Sequence, residues 1–132
     1  MSDFRSRLKT LREGLLRLHK SLLELERAAY ERDVAPIASP GEYLSLVLNE
    51  PAFQWLRELS AFIVMIDETL AQKAPPATPE DADRLIAEAR VLLTPSENGD
   101  GFARSYFEIM QRDAEAVLAH RDMLQIMNGV KE

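Results

Sequence analysis

The chain has 132 residues, of which 46% are hydrophobic and 29% charged, and its net charge is −6. That length suits a single domain, spanning 1–132, that buries about two-thirds of the surface its unfolded chain exposes. The composition is neither that of a disordered chain nor that of a membrane protein, and the lack of cysteine removes disulfides, thiolate catalysis and cysteine-based zinc sites together.

Charge is unevenly spread. Arg5, Arg7, Lys9, Arg12, Arg17 and Lys20 stand against Asp3 and Glu13 in residues 1–20, a local balance of +4 that leaves −10 for the remainder. Net acidity disfavours non-specific nucleic-acid binding. The longest strongly apolar run, Leu59 to Ile66, falls far short of the ~20 residues a membrane span needs. With Met1 opening directly into a charged helix, the expected location is cytoplasmic.

Phe4, Leu8, Leu11, Leu15, Leu18, Leu22, Leu25 and Ala29 repeat in steps of four and three. This heptad seam predicts a first helix over 3–34, roughly 45 Å long at 1.5 Å per residue, with Leu16 and Leu23 widening its stripe. Pro36 stops it. Ser39-Pro40-Gly41-Glu42 then supplies an N-cap, a proline at the first helical position and a reciprocal glutamate. A short helix over 40–48 follows, with Tyr43, Leu44, Val47 and Leu48 as its apolar residues. Pro51 disfavours helical geometry at Glu50, and Asn49 is the expected cap of the next helix.

That next helix, expected over 51–73, is the most apolar of the chain. At ~100° per residue, Phe62, Trp55, Ile66, Leu59, Leu70, Ala52, Ile63, Leu56, Phe53 and Val64 fall on one arc of ~200°, twice an ordinary surface stripe, which predicts a central helix covered on several sides. Lys73-Ala74-Pro75-Pro76-Ala77 ends it, and Thr78-Pro79-Glu80-Asp81 begins a third long helix over 79–94, carrying Ala82, Leu85, Ile86, Ala89, Leu92 and Leu93. A turn-rich connection, Ser96 to Gly101, leads to a last helix over 102–127, in which Asp113 is a candidate fresh start and hence a kink. Strand-like alternation is absent. The predicted fold is therefore all-α, an antiparallel four-helix bundle with one short extra helix between the first and second long helices.

Several polar residues sit inside the apolar arcs. Arg12, His19 and Glu26 are seven apart on the first helix, Ser60 and Asp67 on the second, and Tyr106, Asp113 and His120 on the last. If the helices alternate up and down with level ends, a rise of ~1.5 Å per residue brings these groups into three layers. The layers are Arg12 with Asp67 and His120, His19 with Ser60 and Asp113, and Glu26 with Tyr106. A buried charge is tolerated when paired and hydrogen-bonded, so such layers fit a structural network that fixes helix register. The same residues also fit a metal or small-ligand site, because His, Asp and Glu converge in it. Di-iron chemistry is disfavoured, since neither histidine has a glutamate three residues before it.

Other features point less far. The Ser96 to Gly101 loop lacks calcium-loop spacing and a phosphate-loop lysine. Arg5, Lys9 and Arg12 share one side of the first helix, as a solvated face does. Met110, Met123 and Met127 fit gap-filling core positions.

Leu18-His19-Lys20, Pro40-Gly41-Glu42-Tyr43-Leu44, Pro51-Ala52-Phe53-Gln54-Trp55-Leu56, Asp67-Glu68, Pro95 through Phe102, Gln111-Arg112-Asp113 and Leu118-Ala119-His120 together span most of the chain. In these stretches the chain resembles a group of small bacterial all-helical proteins without an assigned activity. The resemblance implies a bacterial cytoplasmic origin and brings no catalytic or binding residues. Without a catalytic motif, the expected function is a non-catalytic protein-interaction or self-associating module, with no cofactor, nucleic acid or membrane. The alternative is a small-molecule or metal-binding bundle using the buried His/Asp/Glu seam.

Overall fold

The computed structural model describes residues 3–130. All elements are helical: α1 (Phe4–Asp33), α2 (Pro40–Asn49), α3 (Pro51–Gln54), α4 (Arg57–Ala71), α5 (Pro79–Leu92), α6 (Gly101–Arg112) and α7 (Ala114–Val130). Among the described residues there is no strand, and Lys73 and Pro76 form only an isolated bridge.

The organising element is α1, not the Pro51–Leu70 stretch whose wide apolar arc singles it out in sequence. Leu8, Leu11, Leu15, Leu18 and Leu22 are buried along α1, and the helix packs against α3, α4, α5 and α7. Cross-links fix two directions. Arg12 pairs with Asp67, and His19 with Ser60, so α4 runs antiparallel to α1. Arg7 Nε donates to the Val130 carbonyl at 2.6 Å while Gly14 lies against Met123 and Ile126, so α7 is antiparallel to α1 as well. The seam is largely covered within one chain.

Two expected helices are broken. The 51–73 helix divides between Gln54 and Arg57, where three-residue bonds such as Leu56 N to Phe53 O (3.2 Å) replace the regular ladder. Trp55 and Leu56 keep right-handed dihedrals, so this is a fault in the ladder and not a loop. Asn49 does not cap the helix after it. Its amide donates back to the Ser45 carbonyl (3.0 Å), and Glu50 occupies the cap position without a side-chain bond. The apolar arc is also narrower than expected, because Val64 is exposed. The 102–127 helix breaks at Asp113, which takes extended dihedrals (φ −128°, ψ 121°).

Capping follows the sequence elsewhere. Thr78 and Asp81 exchange side-chain and backbone hydrogen bonds at the start of α5. Ser39 Oγ accepts from Glu42 N at 3.1 Å, and Glu42 reaches one residue further back than a reciprocal box requires, to Ala38 N at 3.0 Å. Gly101 opens α6 at φ 56°, a conformation that favours glycine.

A satellite cluster holds α2 and α3 near the C-terminal end of α1. Phe53 is buried between Tyr30 (ring centroids 6.0 Å apart) and Tyr43 (6.2 Å). The Arg27 guanidinium lies 4.5 Å from the Tyr43 ring centre.

Gly14 marks a close α1–α7 approach: a Cβ there would lie 3.0 Å from Ile126 Cδ1 and 3.1 Å from Met123 Cε. Both are ends of flexible side chains. Gly14→Ala is expected to be close to neutral, because a helix-propensity gain of about 1 kcal/mol offsets the squeeze. Gly14→Val overpacks the contact and should cost about 1–3 kcal/mol. Urea unfolding measures both, and a valine variant as stable as the parent would show that the helices part freely.

Candidate functional site

The polar residues of the α1–α4 contact form pairs, as their spacing implies, but the expected third members do not join them. Arg12 Nε donates to Asp67 Oδ1, and His19 Nε2 and Ser60 Oγ share a hydrogen bond of 2.8 Å. His120 does not join the first pair, nor Asp113 the second. Glu26 does not meet Tyr106 either. Its carboxylate, 7% exposed, accepts from Trp55 Nε1 at 2.6 Å and from an Arg112 terminal nitrogen at 2.9 Å.

The corner at Asp113 explains the difference. In a straight helix residues 14 apart are separated by ~21 Å. Here the buried Tyr106 hydroxyl lies 2.7 Å from His120 Nδ1, with the rings edge-on at 5.2 Å. Thus α6 folds back toward α7, Tyr106 takes His120 as its partner, and Arg112 is swung onto Glu26 while its Nε donates to Asp113 at 3.1 Å.

Burial sets the protonation states. Desolvation lowers the pKa of both His19 and His120 and pushes the Tyr106 phenol well above its ordinary value. The Tyr106 hydroxyl and the neutral His120 imidazole share their hydrogen bond through Nδ1. Desolvation also acts against the Arg112 cation, but hydrogen bonds to Glu26 and Asp113 outweigh it and raise the guanidinium pKa.

These groups satisfy one another. Among the described residues no buried side-chain nitrogen or oxygen lacks a partner, and no three His, Asp or Glu side chains converge as a metal-ligand set. The two histidines belong to separate pairs on different helices. His120 borders an open groove, of about 260 Å³, shared with Arg90, Leu93, Pro95 and Leu124.

Two partners were not anticipated from sequence. Trp55 falls on the apolar arc by spacing, yet a tryptophan indole N–H needs an acceptor when buried, and in the structure that acceptor is Glu26. Arg112 gave no such signal, because its approach depends on the corner. The third unanticipated feature is the outer face of α2. Leu44 and Leu48 are 59% and 53% exposed, and no residue of α2 is fully buried. Their four-residue spacing was legible, their exposure was not.

No family model matches this chain, and no curated protein or solved structure matches it significantly. No described helix is long and apolar enough to cross a membrane.

Arg112→Ala removes one of two donors from a buried carboxylate and is expected to cost about 1–3 kcal/mol. Arg121→Ala, which breaks an exposed pair with Asp122, should stay within about 0.5 kcal/mol. Denaturation followed by the fluorescence of the single tryptophan compares them, and equal effects would mean that Glu26 does not need the guanidinium.

The histidines give a pH signature. Unfolded imidazole protonates near 6.5, whereas the folded groups resist protonation, so the unfolded state binds more protons as pH falls. Stability is expected to be flat above that value and to decline as pH drops through it toward the depressed folded values. Melting temperatures taken between pH 8 and 5.5 should show this slope, and His19→Gln with His120→Gln should flatten it. An unchanged slope in that double variant would place the titration elsewhere.

Proposed function

We propose that this chain is a non-catalytic protein-interaction or self-associating module whose docking surface is the outer face of α2. The observation that carries the reading is that α2 contains Tyr43, Leu44, Leu46, Val47 and Leu48 in ten residues and fully buries none of them. Nonetheless α2 is an ordered helix. Ser39 caps its start, while Gln54 and Arg57 donate to the Asn49 and Leu48 carbonyls at its end. Exposed apolar residues on an element so held are a mark of recognition surfaces.

Within this reading α1, α4, α5 and α7 are the four helices of an antiparallel bundle, and α2–α3 and α6 are additions to it. The Arg12, His19, Glu26, Ser60, Asp67, Tyr106, Asp113 and His120 groups act as register-setting pairs, supported by the mutual satisfaction of their hydrogen bonds. A cytoplasmic setting and a protein partner accord with the acidic, cysteine-free composition. A small-molecule site is favoured by one observation only, the groove beside His120 and Arg90.

Leu44→Glu with Leu48→Glu tests the main reading. Both side chains are more than half exposed, so the double variant should melt within about 0.5 kcal/mol of the parent. It should lose the associations that the parent makes, scored by quantitative pull-down and sedimentation side by side. Identical association profiles for the two proteins would remove α2 as the docking surface. A shift of the His120 ring resonances by small metabolites, with α2 silent, would favour the groove instead.

A further inference from the structure

We infer that the occupant of the α2 face is a second copy of this chain, laid antiparallel so that a two-fold axis passes between Leu44 and Ser45 of each copy. This rests on the reading of α2 as the docking surface and adds to it the identity and orientation of the partner.

The first argument is shape. At ~100° per residue, Gly41, Leu44, Ser45 and Leu48 form one stripe, and all four are exposed, whereas Tyr43 and Val47 turn toward the body of the protein and are half-buried. Along the stripe, small and large residues alternate. An isologous contact must be self-complementary, each residue meeting under the two-fold a residue that fits it. About the stated axis, Gly41 faces the partner's Leu48 and Leu44 faces the partner's Ser45. Every leucine therefore meets a small residue, as ridge meets groove in helix packing. A Cβ built on Gly41 would find nothing nearer than Ser39 Oγ at 3.9 Å, so the space a leucine would enter is open.

The second argument is charge. Glu42 lies at the N-terminal end of α2, and the Arg57 guanidinium is seated on the Leu48 carbonyl at the other end, 2.9 Å away. Antiparallel docking brings Arg57 toward the partner's Glu42, and symmetry makes that pairing occur twice. Parallel docking would set like charges side by side and align the two helix dipoles, which is unfavourable. Beside α2, Arg27 is paired with Glu31 and Arg32 with Asp33, which leaves Arg57 as the basic group at the end of the stripe. A single ten-residue helix from each copy offers less than the roughly 800 Å² per partner of a standard interface. The dimer is accordingly weak and exchanging, filled at high concentration.

Sedimentation of the full chain from micromolar to millimolar concentration reads the association. The weight-average mass is expected to rise toward twice 15.0 kDa, and Leu44→Glu with Leu48→Glu should hold it at the monomer value with an unchanged melting curve. Because the chain has no cysteine, orientation is tested by mixing a Gly41→Cys chain with a Leu48→Cys chain under oxidation. The mixed disulfide should predominate over either self-disulfide. A strict monomer at millimolar concentration, a dimer indifferent to the glutamates, or a Gly41→Cys chain that cross-links mainly to itself would each overturn the inference. If the chain stays monomeric but the glutamate variant alone loses a captured protein, the broader docking reading stands and the second copy is excluded.

Discussion

The leucine seam of α1 is the constraint from which the rest of the structure follows. A helix of 30 residues carrying five fully buried leucines cannot hide that stripe alone, and each such side chain contributes about 1.5–3 kcal/mol when buried. The folding problem is therefore one of bringing apolar faces to α1. Two antiparallel partners, α4 and α7, supply most of the cover, and α5 closes the remaining side. Gly14 shows how closely this is done, since a Cβ there would already press on the ends of the Ile126 and Met123 side chains.

Hydrophobic cover sets composition but leaves register loose, because a stripe of leucines can slide by a turn at modest cost. The polar pairs remove that freedom. Sliding α4 by one turn would separate Arg12 from Asp67 and His19 from Ser60 together, and would pull Trp55 from a carboxylate that has few other donors. A desolvated carboxylate that loses its donors costs far more than its pairing contributes when intact. Glu26 thus ties three places at once, namely α1, the α3–α4 fault and the α6–α7 corner. Its position in the middle of that junction explains why the chain tolerates a buried charge there.

Much of this was legible in the residues because it depends on local period. The limits of α1, α2 and α5, the caps at Ser39 and Thr78, and the pairing of positions seven apart on α1 and α4 all follow from spacing along single helices. What was not legible depends on direction. A corner is made by one residue leaving helical dihedrals, and Asp113 looks the same in sequence whether it kinks a helix gently or turns it back. By spacing alone, Tyr106, Asp113 and His120 form a row along one face. It is in fact two arms folded about Asp113, which is why Tyr106 finds His120 and not Glu26. The Pro51–Leu70 arc is covered by α1 and α5 as its width implies, but only in part. Width of an apolar arc counts candidates for burial, and Val64 shows that a candidate need not be covered.

Leu44 and Leu48 on α2 belong to that same excess. Tyr43, Phe53 and Tyr30 clip α2 to the end of α1, and caps at both ends hold its backbone, so the helix is ordered without using Leu44 or Leu48. A surface that is already ordered loses little conformational entropy on docking, and that saving matters most for a small interface, where ordering costs otherwise consume the gain from burial. The aromatic clip and the exposed leucines are thus two parts of one arrangement. The clip holds α2 in place while Leu44 and Leu48 stay exposed, which is the arrangement that the proposed docking role requires.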